Sequence, residues 1–191
     1  MKVLGISGSL RRDSHNTNLL RAAAELVDGE VEFELWKGLK AVPPYDQDDD
    51  VAEAPAAVAE LRDAIAGADA VLFATPEYNS SIPGQLKNAL DWVSRPIATN
   101  PLRNKPVAVV GASTGAFGAV WSQAELRKVL AAIGARVLEC EVACRNAAAG
   151  FDEHGRLIDG EAQAQLGEAV ERLVEAARGR AEGRLTASIA A

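Results

Sequence analysis

Short apolar segments alternate with amphipathic ones along the chain. Each apolar segment predicts a β-strand, and the five lie at residues 2–6, 31–36, 70–74, 106–110 and 135–138. The second segment alternates apolar and acidic residues, which indicates a strand near a sheet edge. Residues 70–74 and 106–110 are continuously apolar, as in strands whose two faces are both buried.

Helical periodicity follows each strand. Apolar residues three or four positions apart predict helices at residues 19–27, 58–65, 83–93, 120–133 and 161–178. Pro83 suits a first helical turn, and Gly134 suits a helix end. Five alternations of strand and helix predict a three-layer α/β domain, with a parallel sheet covered by helices on both faces. We expect the domain to span residues 1–178 and residues 179–191 to form a flexible tail.

Composition narrows the classes of function. The 191 residues are enough for one domain, and the net charge of −7 with a pI near 4.9 disfavours binding to nucleic acid or anionic membranes. No apolar run approaches the ~20 residues of a membrane span, and the first residues lack a signal-peptide core, so we expect a cytoplasmic protein. Cys140 and Cys144 are too few for a disulfide framework, and with only His15 and His154 as partners we expect no metal site. The acidic residues 46–50 are expected to form a solvated loop.

Ligands of parallel α/β sheets bind beyond the carboxyl ends of the strands, which directs attention to three loops. The first, residues 7–17, offers hydroxyls, an amide, Arg11 and the N–H groups of a helix start, which together suit a phosphate dianion. It contains neither GxGxxG nor GxxxxGK[ST]. The alternative interpretation is a helix cap flanked by solvated arginines.

The loop after the third strand, residues 75–84, is stiffened by Pro76 and Pro83. Its peptide groups and the Asn79 amide match the polar edge of a flat heterocycle, with Tyr78 as an aromatic wall. The same residues are also compatible with an ordinary reverse turn. The sequence therefore leaves two interpretations of this loop.

The loop after the fourth strand, residues 111–118, is rich in glycine and lets the backbone approach a ligand closely. It also matches G-x-S-x-G, the nucleophile elbow of serine hydrolases, with Ser113 as the nucleophile. Such a hydrolase needs a downstream histidine, and only His154 qualifies.

Taken in order, these motifs resemble the NAD(P)H-dependent FMN reductases of the flavodoxin-like superfamily, which include quinone, chromate and azo-dye reductases. The resemblance covers roughly residues 2 to 175 and depends on several paired motifs. These are Gly8-Ser9-Leu10-Arg11 with Ser14 and Asn16, Pro76-Glu77-Tyr78-Asn79 with residues 82–92, Pro43-Pro44-Tyr45-Asp46, and residues 151–159. One departure is Gly118-Ala119, where relatives often have two adjacent glycines.

The resemblance implies a flavodoxin-like sheet with strand order 2-1-3-4-5, bound FMN, no metal, and a homodimer or homotetramer. The phosphate is then expected on the first loop, and the isoalloxazine between the third and fourth loops. The implied cofactor-binding residues are Ser9, Arg11, Ser14, Asn16 and Thr17 for the phosphate, Pro76, Glu77, Tyr78 and Asn79 for the ring, and Ser113 and Gly115 at its other border.

The implied activity is hydride transfer from NADPH or NADH to FMN and then to a small acceptor, in a ping-pong cycle. The acceptor is a quinone, free flavin, or a chromate, azo or nitro compound. No catalytic residue is expected in the chain, because the flavin N5 carries the chemistry. Two alternatives stay open: a flavodoxin-type electron carrier without a nicotinamide site, and the serine hydrolase.

Overall fold

The computed structural model describes residues 1–51 and 54–189, with side chains as far as residue 182, and this part of the chain forms six parallel strands and six helices. The strands are β1 (Lys2–Ser7), β2 (Glu32–Trp36), β3 (Ala70–Thr75), β4 (Pro106–Ala112), β5 (Arg136–Val137) and β6 (Ala143–Cys144). The helices are α1 (His15–Leu26), α2 (Ala56–Gly67), α3 (Gly84–Val93), α4 (Val120–Ile133), α5 (Ala147–Gly150) and α6 (Gly160–Ile189). Two 3₁₀ turns, Leu39–Ala41 and Gln47–Asp49, lie between β2 and α2.

The sheet has the strand order β2-β1-β3-β4-β5, and every pairing is parallel. This confirms the flavodoxin-like order and the three-layer α/β fold. The last strand predicted to begin at residues 135–138 is confirmed as β5, which pairs with the beginning of β4, and a minor sixth strand, β6, pairs separately with the end of β4. A tight turn separates the two strands: the Cys140 N–H donates to the Leu138 carbonyl at 3.0 Å and turns the chain away from the edge of β4.

The two faces of the sheet bury separate cores. Along β3, Ala70, Leu72 and Ala74 pack on one side and Val71 and Phe73 on the other, and all are at most 1% exposed. α1 and α6 cover the first face, whereas α2, α3 and α4 cover the second. A strand covered on both sides must be apolar at every position, which explains the continuous apolar pattern of β3 and β4.

The last helix is longer than residues 161–178, because α6 begins at Gly160 and continues to Ile189. Its apolar residues as far as Ala177 pack against α1 and the sheet. The flexibility of residues 179–191 stays a prediction, and residues 190–191 lie outside the described part of the chain. None of the described helices is both long and apolar enough to span a membrane.

The strand register brings three loops to one edge of the sheet. Ser7 at the end of β1 pairs with Ala74 of β3, and Thr75 pairs with Gly111 of β4. The three strands therefore end level, and the loops that follow them are neighbours. β1 is also the strand at which the order reverses, the place where α/β sheets of this kind form their ligand crevice.

Candidate functional site

The loops after β1, β3 and β4 enclose a cavity at the carboxyl edge of the sheet. Most of the residues that the sequence suggested line it, and His15, Ala112 and Thr114 join them. The predicted residues in the lining are Ser9, Arg11, Ser14, Asn16, Pro76, Glu77, Tyr78 and Ser113. Thr17, Asn79 and Gly115 are not among the lining residues.

Ser14 forms the start of α1. Its backbone is extended, with φ −87° and ψ 122°, and its hydroxyl oxygen accepts the Thr17 N–H at 3.3 Å. This is an ordinary N-cap, which satisfies one of the free donors of the first turn. The Ser14 hydroxyl proton is left to donate to a ligand, so the cap and a binding role are compatible.

Asn16 joins the first loop to the end of β4. Its Nδ2 donates to the Ala112 carbonyl and its Oδ1 accepts the Ala112 N–H, both at 2.9 Å. The side chain is only 3% exposed, so these two bonds satisfy a buried amide and a buried peptide together. Asn16 thus holds two walls of the cavity at a fixed separation.

Thr17 shapes the first loop from behind. Its hydroxyl donates to Ser7 Oγ at 3.2 Å, and the Ser9 N–H donates to the same oxygen at 3.3 Å. Thr17 also lines the neighbouring cleft, which lies on the β2 side of the loop. Thr17 therefore shares the neighbouring cleft with Ser9 and Arg11, which also line the cavity, whereas Ser14 and Asn16 line the cavity alone.

The loop after β3 turns sharply between Tyr78 and Ser81, whose backbones exchange hydrogen bonds at 3.1 Å. Asn79 and Ser80 both have positive φ, 53° and 59°, as a two-residue type I′ turn requires. Tyr78 stays half exposed beside the cavity. Asn79 lies at the tip of the turn, which explains why it is not in the lining.

Glu77 connects this loop to the start of α4. Its Oε2 accepts the N–H groups of Trp121 and Ser122, both at 3.1 Å. The residue before α4, Ala119, provides no side-chain cap and has φ 63°. A carboxylate from another loop therefore caps this helix and also complements its dipole.

The left-handed backbone at Gly118 and Ala119 explains why a glycine pair suits this turn. Gly118 has φ 60°, and a Cβ there would lie 2.6 Å from the Ala143 carbonyl carbon, so only glycine fits. Ala119 has the same sign of φ but enough room for its methyl group, at a cost of roughly 1–2 kcal/mol.

Ser113 has the hydrogen bonds of a loop residue. Its Oγ accepts the Gly115 N–H at 3.1 Å, while its N–H donates to the Cys144 carbonyl at 3.0 Å. His154 is largely exposed and lies beside Glu153, with 3.6 Å between Nε2 and Oε1. Within the described residues no histidine is hydrogen-bonded to Ser113, so the geometry does not support the hydrolase.

His15 is the site residue that the sequence reasoning missed. Its ring stacks on Phe151, with centroids 5.4 Å apart, and its buried Nδ1 has no hydrogen-bond partner within the described residues. Burial and, second, the Arg11 charge lower the pKa of His15, which favours the neutral imidazole. The sequence contained one signal for His15, which is its position directly after Ser14 in the loop that suits a phosphate.

The residues considered for metals or redox chemistry have other roles. Burial raises the pKa of the Cys144 thiol to about 11 and also raises that of Cys140, so both thiols are poor nucleophiles. Asp46 caps the Gln47–Asp49 turn, and Asp50 forms an ion pair with Arg62 at 3.0 Å. Over residues 1–51 and 54–182, no three potential metal ligands are grouped together.

Comparisons with known proteins agree with this geometry. Residues 1–149 match the family model described as NADPH-dependent FMN reductase. The chain is 44% identical to an NAD(P)H-dependent FMN reductase of Pseudomonas aeruginosa over 85% of its own length and 88% of the relative's. It is 43% identical to a 2-hydroxy-1,4-benzoquinone reductase of a Burkholderia species, over 69% and 70%. A solved NAD(P)H:(acceptor) oxidoreductase from Paracoccus denitrificans superposes with a TM-score of 0.81 at 35% identity, over 93% and 97% of the two chains.

Proposed function

The chain belongs to the family of NADPH-dependent FMN reductases, and on that premise we propose that it reduces quinones in a ping-pong cycle through bound FMN. It is an NAD(P)H-dependent flavin enzyme, since the family model and its curated relatives carry that activity. We propose a quinone as the acceptor, and we propose that the oxidised donor leaves before the quinone binds. The observation that supports this proposal is that the loops after β1, β3 and β4 enclose one cavity. Arg11 provides a cation in its lining and Tyr78 provides an aromatic ring.

The residues of the cavity fit FMN. Arg11 is exposed and forms no ion pair in the described part of the chain, so its charge is available to a phosphate. Ser9 and Ser14 add hydroxyls, and His15 lies in the same lining with its unpartnered Nδ1 buried. Together they form the donor-rich surroundings that a phosphate monoester requires.

At the other end, Pro76, Glu77 and Tyr78 face Ser113 across the cavity. We place the isoalloxazine between these residues, where peptide groups and the Tyr78 ring line its border. The bound flavin supplies the hydride chemistry through N5. Tyr78 is half exposed, which leaves this side of the cavity open to a small acceptor.

The surface beside the cavity supports an aromatic acceptor. Phe117 is 58% exposed and Trp121 47%, and their rings meet at 4.9 Å with a tilt of 59°. Large exposed aromatic rings next to a site favour ligands that stack on them, such as quinones or free flavin. Chromate, azo and nitro compounds remain within the proposed range of acceptors.

We also propose a cellular compartment and an oligomeric state for the enzyme. We place the enzyme in the cytoplasm, where NAD(P)H is regenerated, and we assign it a homodimeric or homotetrameric assembly by resemblance to the family. An electron carrier without a nicotinamide site is less well supported, because the curated relatives are named as reductases.

Initial-rate kinetics test the order of events. With FMN-loaded enzyme, NADPH and a benzoquinone are varied against each other. A ping-pong cycle gives parallel double-reciprocal lines, because the donor product leaves before the acceptor binds. Intersecting lines would indicate that donor and acceptor bind together and would contradict the proposed order.

A further inference from the structure

A second hollow, which we call the basic cleft, adjoins the cavity on the β2 side of the first loop. It has a volume of about 360 Å³, and its charged lining consists of Arg11, Arg12, Arg21, Lys37 and Lys40. The remaining lining includes Trp36 and the hydroxyls of the first loop. No carboxylate is part of the lining.

The charges of the five cations in the basic cleft are not neutralised by acidic side chains among the described residues. Arg21 donates to Asn18 Oδ1 at 2.5 Å, and none of the five forms an ion pair within the part of the chain that the structure describes. All five side chains are exposed. In a protein of net charge −7, such a concentration of unpaired positive charge creates a local potential that attracts a multivalent anion.

An aromatic surface accompanies these charges. The Trp36 ring lies directly against the backbone of Gly38, where an added Cβ would be only 2.5 Å from Cζ2. The glycine therefore leaves room for the half-buried indole, which is part of the cleft lining. A flat ring beside five cations fits a phosphorylated purine better than a bare anion.

The basic cleft is continuous with the flavin cavity. Arg11 lines both, and a third hollow that contains Leu10, Arg11 and Tyr78 lies between them. A dinucleotide that places its nicotinamide near Tyr78 has a path over Leu10 and Arg11 to the cleft. NADPH and NADH differ only in the 2′-phosphate of the adenosine end, so a phosphate-binding cleft at that end would distinguish them.

We propose that the basic cleft binds the 2′-phosphoadenosine end of NADPH and gives the enzyme its preference for NADPH over NADH. This inference rests on the proposed function, because it assigns one end of the hydride donor. Four of the five cations belong to the cleft and not to the cavity, namely Arg12, Arg21, Lys37 and Lys40, whereas Arg11 is shared with the cavity.

Isothermal titration calorimetry of the FMN-loaded enzyme tests the site directly, with adenosine 2′,5′-bisphosphate and adenosine 5′-monophosphate as probes. The variants are Lys37→Gln and Lys40→Gln, and Lys128→Gln on α4 is the matched exposed control. We expect each cleft variant to bind the bisphosphate about three- to tenfold more weakly, and the monophosphate about as before. The control should bind both probes like the parent. In the two cleft variants, kcat/KM should fall for NADPH but not for NADH.

Three results would overturn the assignment. The first is equal affinity of the parent for the two nucleotides, and the second is inorganic phosphate binding as tightly as the bisphosphate. The third is a cleft variant that loses FMN affinity while its bisphosphate affinity is unchanged. Equal use of NADPH and NADH in parent and variants would overturn this inference alone, whereas failure of both donors to reduce the holoenzyme would overturn the proposed function.

Discussion

The side-chain amide of Asn16 pairs with both backbone groups of Ala112, across 96 positions of sequence. Asn16 lies in the first turn of α1 and Ala112 ends β4, so the pair fixes the distance between the loops that follow β1 and β4. A site built this way is rigid before any cofactor binds, which limits the cost of ordering on binding.

Asn16→Ala should destabilise the protein by about 2–4 kcal/mol, because it leaves the buried N–H and carbonyl of Ala112 without partners. Urea denaturation of the apoprotein measures this loss. Asn18→Ala is the control, since Asn18 bonds only to the exposed Arg21 side chain among the described contacts, and about 0.5 kcal/mol or less is expected there. Equal losses in the two variants would show that the Ala112 pairing contributes little.

Glu77→Ala should cost about 1–2 kcal/mol of stability, because the N–H groups of Trp121 and Ser122 lose their cap. Glu77→Gln keeps an acceptor oxygen and should lose about 0.3–1 kcal/mol, the value of a charge at a helix N-terminus. Thermal unfolding of these variants and of Glu25→Ala, at an exposed position of α1, measures the difference. A Glu77→Ala variant as stable as Glu25→Ala would contradict the capping role.

Arg11→Ala should weaken FMN binding by roughly ten- to a hundredfold, since a charged hydrogen bond to phosphate contributes ~1.5–3 kcal/mol. Quenching of FMN fluorescence during titration with apoprotein gives the Kd. Arg12→Ala is the matched control: Arg12 lines the basic cleft but not the cavity, so its Kd should stay within about threefold of the parent's. Comparable losses of FMN affinity in both variants would indicate that the flavin phosphate binds in the basic cleft.

The pKa of His15 is lowered in the folded protein by burial and the Arg11 charge. The unfolded chain therefore holds this proton more tightly, and the contribution of His15 to stability is complete above its ordinary pKa of 6.5 and is lost as the pH falls below it. Urea denaturation of the apoprotein measures the free energy of unfolding at about pH 7.5 and about pH 5.5. This free energy should fall less between the two pH values in His15→Gln than in the parent. His154→Gln, at an exposed histidine, should behave like the parent; an unchanged loss in His15→Gln would reject the assignment.

The central strands of the sheet can be predicted from sequence, because burial of both faces requires an apolar residue at every position of a strand. β3 and β4 could be predicted for that reason, and the alternation of β2 matched its place at the edge. The division of the last strand into β5 and β6 could not, because two-residue strands have no periodicity to detect. The turn at Cys140 that separates them leaves no distinctive pattern in sequence.

Within the site, the sequence identified the loops better than the direction of individual side chains. Ser14, Glu77 and Ser113 are in the cavity lining, but Thr17 is turned toward Ser7. Its direction depends on where α1 begins, which the cap at Ser14 determines. The link between Glu77 and α4 depends on tertiary packing and left no signal in the sequence.

An anaerobic spectral titration tests the central claim most directly. FMN-loaded protein is titrated with NADPH in the absence of any acceptor, and a benzoquinone is then added without oxygen. We expect the visible absorbance of oxidised flavin to disappear stoichiometrically with NADPH and to return with the quinone. Persistent flavin absorbance after NADPH, or loss of absorbance that the quinone does not reverse, would contradict it.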